Sequence, residues 1–281
     1  MIPVGIMQGR LLPPYQGRFQ AFPATQWRQE IALAEKAGLQ CVEWIYEVPN
    51  EADNPLRTDA AMDDLLAVAR DHRIGIWSIC ADYYMERRLV ARDGSRDPEV
   101  AEHLRWLIGR AGRLGARYMV LPFVDASALN GPAEYEGVIA LLRELAPVAA
   151  DAGVELHLET ALSPRLFVWL LDRIGTANVK ANYDIGNSAS LGFDQIEELR
   201  LLAPWLGSVH VKDRRLGGGT VPLGTGAAPL EECFKQIVAA GFDRWFILQV
   251  ARGAEGEELE WIRQNAATTR DFAARAGDRR A

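Results

Sequence analysis

Three short runs in the second half of the chain each end in a group able to hold a cation or move a proton. VELHLE closes on Glu159, VKANYD closes on Asp184, and GSVHVKD carries His210, Lys212 and Asp213. Polar residues fall at every second position: Glu155, His157 and Glu159; Lys180, Asn182 and Asp184; Ser208, His210 and Lys212. On a strand, that period places each set on one face. A carboxylate buried at a strand end needs a compensating charge, and a divalent cation shared by two carboxylates and an imidazole supplies one. The plainer alternative pairs Glu159 and Asp184 with lysines such as Lys180 or Lys212 and leaves His210 as a hydrogen-bonded core residue. Three such groups at equivalent places favour a shared site.

The elements that must position these ends form a repeating pattern. A strand from about Pro3 to Gln8 leads into a proline-rich, aromatic loop from Leu11 to Pro23, suited to folding over the mouth of a pocket. Thr25 then precedes a helix that stops at Gly38, and CVEWIYE reads as the second strand. Thr58 leads a helix, GIWSICADYYM reads as the third strand, and a helix from Pro98 to Gly115 leads to RYMVLPF as the fourth. A helix over 133–152 precedes VELHLE, Ser163-Pro164 opens the next helix, and FDQIEELRLLAP links VKANYD to GSVHVKD. Pro229 opens a helix before RWFILQV, and a charged helix over 257–274 closes the chain.

Strands that alternate with helices must run parallel with right-handed crossovers, and eight such units close on themselves. The expected fold is α/β, a single (β/α)8 barrel over residues 1–281, with any disorder confined to the tail after Arg275. A doubly wound open sheet is the alternative, but GIMQGR lacks the glycine-rich phosphate loop that such a sheet carries after its first strand. Gln8, Glu43, Asp82, Glu159, Asp184, His210 and Gln249 all fall at strand ends in this reading, where barrels carry their reactive groups.

A net charge of -7 argues against a nucleic-acid or anionic-membrane surface, both of which need clustered Lys and Arg. Cys41, Cys80 and Cys233 are widely spaced without a CxxC pair, which suits a reducing compartment. With no apolar run of spanning length and no signal-peptide pattern at Met1, the expected location is cytoplasmic.

On these residues the sequence resembles the xylose-isomerase-like barrels, and within them a subgroup of sugar phosphate isomerases and epimerases. HLET around Glu159, NYDIGN around Asp184, VHVKD around His210, PLGTGAAPLEECF and FILQVAR carry the likeness across nearly the whole chain. The resemblance implies a single TIM barrel, assembly as a homodimer or homotetramer, a small carbohydrate as substrate, and one divalent ion. Manganese is the ion most often held in such epimerases, with Mg2+, Co2+ and Zn2+ as alternatives. It implies Glu159, Asp184, His210 and Gln249 as metal ligands, with two departures. Gln249 stands where the family has a glutamate and cannot accept a proton. Asn187 stands where the family has a histidine and can bind a hydroxyl without shuttling protons.

The implied chemistry is proton abstraction from a carbon next to a carbonyl, giving isomerisation or epimerisation of a sugar, sugar phosphate or polyol. Glu159 is the expected base, and Lys212 is expected to neutralise an enolate or phosphate or to return the proton, unless it merely pairs with Asp184 or Asp213. Gln8, Glu43, His157, Asn187 and Arg214 complete the expected substrate contacts. His157 is also a candidate donor to the metal carboxylates or a plain core residue, and Glu43 a base or the partner of Arg10. Arg214, Arg215 and Arg252 read first as solvated cations. GGGT and LGTG read first as turns and second as a phosphate cradle. Trp44, Trp77, Tyr83 and Tyr84 are candidates for an apolar wall against a sugar ring, about half of them being core. An inosose-dehydratase-like lyase and a barrel that binds metal and sugar without turnover are the competing readings.

Overall fold

The β-branched and aromatic runs form strands, and the amphipathic stretches between them form helices that cover the outside. In this computed structural model, which describes residues 2–278, the barrel strands are β1 Val4–Met7, β2 Cys41–Ile45, β3 Gly75–Cys80 and β4 Tyr118–Phe123, followed by β5 Glu155–Thr160, β6 Val179–Asp184, β7 Leu206–Val211 and β8 Phe246–Leu248. All pair in parallel, and β1 pairs with both β2 and β8, so the sheet closes into a single (β/α)8 barrel. The doubly wound alternative is excluded. Among the described residues a two-stranded antiparallel ribbon, Asp213–Arg214 with Thr220–Val221, stands outside the barrel directly after β7.

Several boundaries differ from the sequence reading. β3 ends at Cys80, and Tyr83–Glu86 coils into a short helix instead of extending the strand. Thr58 caps its helix through the Ala61 amide at 3.2 Å, whereas Thr25 caps nothing and the first helix starts at Trp27. The last helix runs from Glu258 to Asp278, so the tail from 276 to 278 is helical; 279–281 lie outside the described residues.

Asp184 ends β6 and also caps the short helix Ile185–Leu191, accepting the Asn187 amide at 2.8 Å on Oδ1. One of its oxygens is thereby fixed by the chain itself, and the other is left for the barrel mouth.

The proline-rich loop is pinned across the mouth by charged side chains that serve its backbone. Glu30 accepts the Gly9 and Leu11 amides at 2.6 and 3.3 Å. Glu47 accepts the Phe22 amide at 2.8 Å and pairs with Arg18. Arg252 donates to the carbonyls of Gly9, Leu12 and Phe19 at 2.8, 2.7 and 3.0 Å. Arg252 is therefore a clamp on this loop and not a solvated cation. Gly9 has φ +84°, and a Cβ there would meet the Ala21 carbonyl at 2.7 Å, so the loop seats only over glycine. Replacing Arg252 with Ala should leave these carbonyls without their donor, lower unfolding stability by about 2 kcal/mol, and speed protease cleavage between residues 11 and 23. Limited proteolysis of the variant and wild type checks this, and equal cleavage rates would contradict it.

Candidate metal centre

β5, β6 and β7 are neighbours in the ring, so their final residues share one arc of the mouth. A carboxylate oxygen from Glu159, one from Asp184 and a ring nitrogen of His210 all lie within 4.8 Å of one another, and all three residues are buried. His210 Nε2 lies 2.8 Å from Glu43 Oε1, which leaves Nδ1, 3.7 Å from Glu159 Oε2, as the nitrogen facing the carboxylates. A carboxylate behind a ligand imidazole fixes its tautomer and orientation. Glu43, fully buried in β2, orients His210 in this way and touches neither Arg10 nor the cavity that a substrate would enter.

The electrostatics follow from burial. The Glu159 carboxyl is pushed well above the usual carboxylate range, first by burial and then by Asp184 beside it. Burial lowers the His210 imidazole, but Glu43, Glu159 and Asp184 outweigh it and raise the ring to about 9. Lys212 Nζ reaches Asp184 Oδ2 at 3.1 Å and Gln249 Oε1 at 2.8 Å, so it bridges the two. Asn187 Nδ2 donates to Glu159 Oε1 at 2.6 Å, and its own carbonyl accepts Arg214 at 2.9 Å. Two hard oxygen donors and an imidazole make a donor set that fits a small divalent cation. The Gln249 carbonyl is engaged by Lys212 and would have to exchange that partner to join them.

A cavity of about 360 Å3 opens over this arc, lined among others by Arg10, Phe19, Gln20, Asp82, Glu159, Asn187, Lys212, Arg214 and Gln249. Glu159, Lys212, Asn187, Arg214 and Gln249 are thus brought together on one cavity wall. Gln8 is not among them: its Oε1 accepts the Ile45 amide at 2.9 Å and ties β1 to β2. His157 is not among them either. It lies fully buried below the site, its two nitrogens on Ser208 Oγ at 2.9 Å and Glu155 Oε2 at 3.0 Å. It touches the site only through Ser208 and Asn182, whose Nδ2 donates to Glu159 Oε2 at 3.3 Å.

The four aromatics proposed as a sugar wall are all elsewhere. Trp44 packs on Phe22 and Trp27, Tyr83 and Tyr84 pack around His103, and Trp77 packs at a tilt against Trp245 at the other end of the barrel. Phe19, Met85, Pro122 and Val124 supply the apolar wall instead. The LGTG turn cradles an anion, but the anion is the chain's own Asp213, whose carboxylate accepts the Gly224, Gly226 and Ala228 amides at 2.9, 2.9 and 3.1 Å. Arg10, Gln20 and Asn182 belong to the site and were not assigned to it from sequence. Asn182 was signalled by its alternation with Asp184, whereas nothing local to the loop singles out Gln20.

A larger cavity of about 590 Å3 lies at the opposite end, between Pro3, Trp77, Arg117, Glu155, Arg244 and Trp245. Size does not make it the reactive site. It sits at the strand starts, a face that barrels use for stability, and the clustered donor set is at the other end.

A family model for the xylose isomerase-like TIM barrel matches residues 31–271. The chain belongs to that family. A putative L-ribulose-5-phosphate 3-epimerase, SgbU, of Escherichia coli (strain K12) is 24% identical over 243 residues, covering 80% of this chain and 83% of that protein. A solved L-ribulose 3-epimerase superposes with a TM-score of 0.74 at 18% identity, over 99% of this chain and 97% of that one. The IOLI protein, solved with a bound zinc atom, superposes with a TM-score of 0.73 at 18% identity, over 98% of this chain and 99% of that one. This xylose isomerase-like barrel therefore shares its fold with sugar epimerases and carries a Glu159, Asp184 and His210 cluster able to hold a metal. No helix among its described residues is long and apolar enough to cross a membrane.

Two outcomes follow for metal binding. Glu43→Gln, which keeps the shape but removes the charge behind His210, should weaken binding of a divalent ion by about 10- to 100-fold, read by chelator competition. In the wild type, affinity should fall as pH drops below about 9, because the raised His210 ring must first lose its Nδ1 proton. The fall should steepen once Glu159 also protonates, by about tenfold per pH unit for each proton displaced. A pH-independent affinity would contradict this.

Proposed function

We propose that this barrel is a divalent-metal-dependent epimerase or isomerase of a ketose or ketose phosphate, acting by proton abstraction next to a carbonyl. The observation that supports it most is the convergence of Glu159, Asp184 and His210 on one cavity whose wall also carries Lys212, Arg214 and Asn187. The names borne by its relatives point the same way. Glu159, Asp184 and His210 would hold the ion, which when bound supplies Lewis-acid stabilisation of the charge that develops on the substrate oxygen. Manganese is our choice of ion, and the donor set is equally suited to magnesium, cobalt or zinc.

The chain's own residues account for the rest. Glu159 has one oxygen held by Asn187 and the other within reach of Asn182 and His210, so its position is fixed before any substrate enters. Its raised carboxyl suits a group that must both take and return a proton near neutrality. Lys212 stands between Asp184 and Gln249, where its ammonium would offset charge developing on the substrate. Arg214, joined to the ribbon at the Gly218 carbonyl and to Asn187, places a guanidinium on the cavity wall where a hydroxyl or phosphate would lie. Phe19, itself half exposed, lines one side of the mouth.

Protein purified without chelator is expected to carry about one equivalent of divalent metal per chain, detectable by elemental analysis. In 2H2O it should exchange the carbon-bound hydrogen next to the carbonyl of a ketose or ketose phosphate, in a screen that also includes inososes. Asp184→Asn should lower both metal content and exchange, the latter by more than about a hundredfold. Loss of water from an inosose in place of exchange would transfer the assignment to a lyase, and metal binding without exchange on any substrate would leave only a binding protein.

A further inference from the structure

An epimerisation needs two groups, one to remove a proton from one face of a carbon and one to deliver a proton to the other. Glu159 supplies the first, and the position opposite in the resemblance is Gln249, which titrates at no accessible pH. Asn187 is equally inert. The guanidinium groups of Arg10 and Arg214 are donors without acceptor capacity, and Asp125 is an exposed residue on the rim. Lys212 is held between Asp184 and Gln249, on the same side as the metal cluster. One carboxyl on the cavity wall is left without a role, that of Asp82.

Asp82 follows β3, which stands across the ring from β7 and two strands round from β5, so it enters the cavity wall opposite His210 and on a different side from Glu159. Its position is defined by two donors: Gln20 Nε2 reaches Oδ2 at 2.7 Å, and the Cys80 thiol reaches Oδ1 at 3.1 Å. No cation forms an ion pair with it among the described residues, in contrast to Glu47, Glu134 and Glu155. Gln20 Oε1 in turn accepts Arg10 at 3.0 Å and Gln249 at 3.1 Å, which ties Asp82 to the roof of the cavity.

We propose that Asp82 is the second acid/base of the site, acting on the face of the substrate carbon opposite Glu159. The inference rests on the epimerase reading above. In one direction Glu159 takes the proton from the carbon beside the carbonyl; the C–H pair forms a carbon–carbon double bond, and the carbonyl π pair moves onto oxygen, giving an enediolate. As the carbonyl re-forms, Asp82 delivers its proton to the other face of the same carbon. Glu159 ends protonated and Asp82 ionised, no atom changes oxidation state, and exchange with water or the reverse reaction resets the pair. Burial raises the Asp82 carboxyl above its usual range even though Gln20 and Cys80 draw it back, which allows it to hold the proton it must give.

The test uses metal-loaded full-length protein in 2H2O with L-ribulose 5-phosphate and, separately, its C3 epimer L-xylulose 5-phosphate, followed by proton NMR. Wild type should wash out the C3 hydrogen from both and interconvert them. Asp82→Asn should bind metal as wild type does, wash out C3 hydrogen from one epimer only, and lose interconversion by about 10²- to 10⁴-fold. Asp82→Glu, which keeps the carboxyl, should recover part of the interconversion, and it carries the test if Asp82→Asn does not fold. Interconversion by Asp82→Asn within about threefold of wild type, or equal loss of wash-out from both epimers, would overturn the assignment and leave the epimerase reading intact. Wild type that exchanges neither epimer nor any other ketose would overturn both.

Discussion

The mouth of this barrel is governed by the cost of burying two carboxylates, Glu159 and Asp184, on adjacent strands. Two like charges taken out of water destabilise one another and are each poorly solvated, so every neighbour is arranged to offset them. Asp184 gives one oxygen to a helix cap and the other to Lys212. Glu159 gives one oxygen to Asn187 and turns the other to Asn182 and His210. His210 is backed by a third carboxylate, Glu43, whose Oε2 has no hydrogen-bond partner among the described residues. Such a set is stable only with positive charge nearby, from Lys212, from a doubly protonated His210 or from a bound cation. Proton and metal therefore compete for the same places.

The compensation extends down the barrel axis. Below Glu159 a line of polar side chains runs from Asn182 through Ser208 and His157 to Glu155, which is held by Arg244 at 2.9 Å and Lys180 at 3.1 Å. Burial lowers the His157 ring to about 4, so it stays neutral in the core, and Glu155, despite its own burial, is kept ionised by His157 and Arg244. The linkage has a definite sign: a buried histidine with a depressed pKa contributes stability above about 6.5 that is lost as the pH falls toward 4. These bonds make the floor of the site rigid, and a first shell of ligands works only when its supporting groups are fixed.

The sequence made the eight strands and the three converging residues legible because a period of two is a strong signal for which face a side chain occupies. The same period is silent about depth. Two residues along a strand amount to about 6.6 Å, so His157 shares the face of Glu159 yet sits one layer lower, among Ser208 and Glu155. Glu43 and Gln8 likewise lie beneath the cavity: Gln8 spends its side chain on β2, and Glu43 spends its own on His210 across the barrel. Arg252 looked like a surface cation because nothing in its own segment reveals that three carbonyls of a loop more than two hundred residues away converge on it. The glycine-rich turn after β7 had the composition of an anion cradle and is one, but its anion is supplied by Asp213 from the same loop.

The two departures at Gln249 and Asn187 change how the cavity handles protons more than how it handles charge. Both positions keep hydrogen-bonding side chains: Gln249 joins Lys212 to Gln20, and Asn187 joins Arg214 to Glu159. A side-chain amide in place of a titratable group preserves the network and removes one acid or base from it. In the proposed reaction, proton transfer falls to the buried carboxyls that remain on the wall, Glu159 in the cluster and Asp82 under Gln20. An ammonium between Asp184 and Gln249 is better placed to stabilise developing negative charge than to trade protons, because giving one up would leave Asp184 buried without its partner. The proposed chemistry thus divides labour, with charge stabilised on the β6–β8 side and protons moved from β5 and β3.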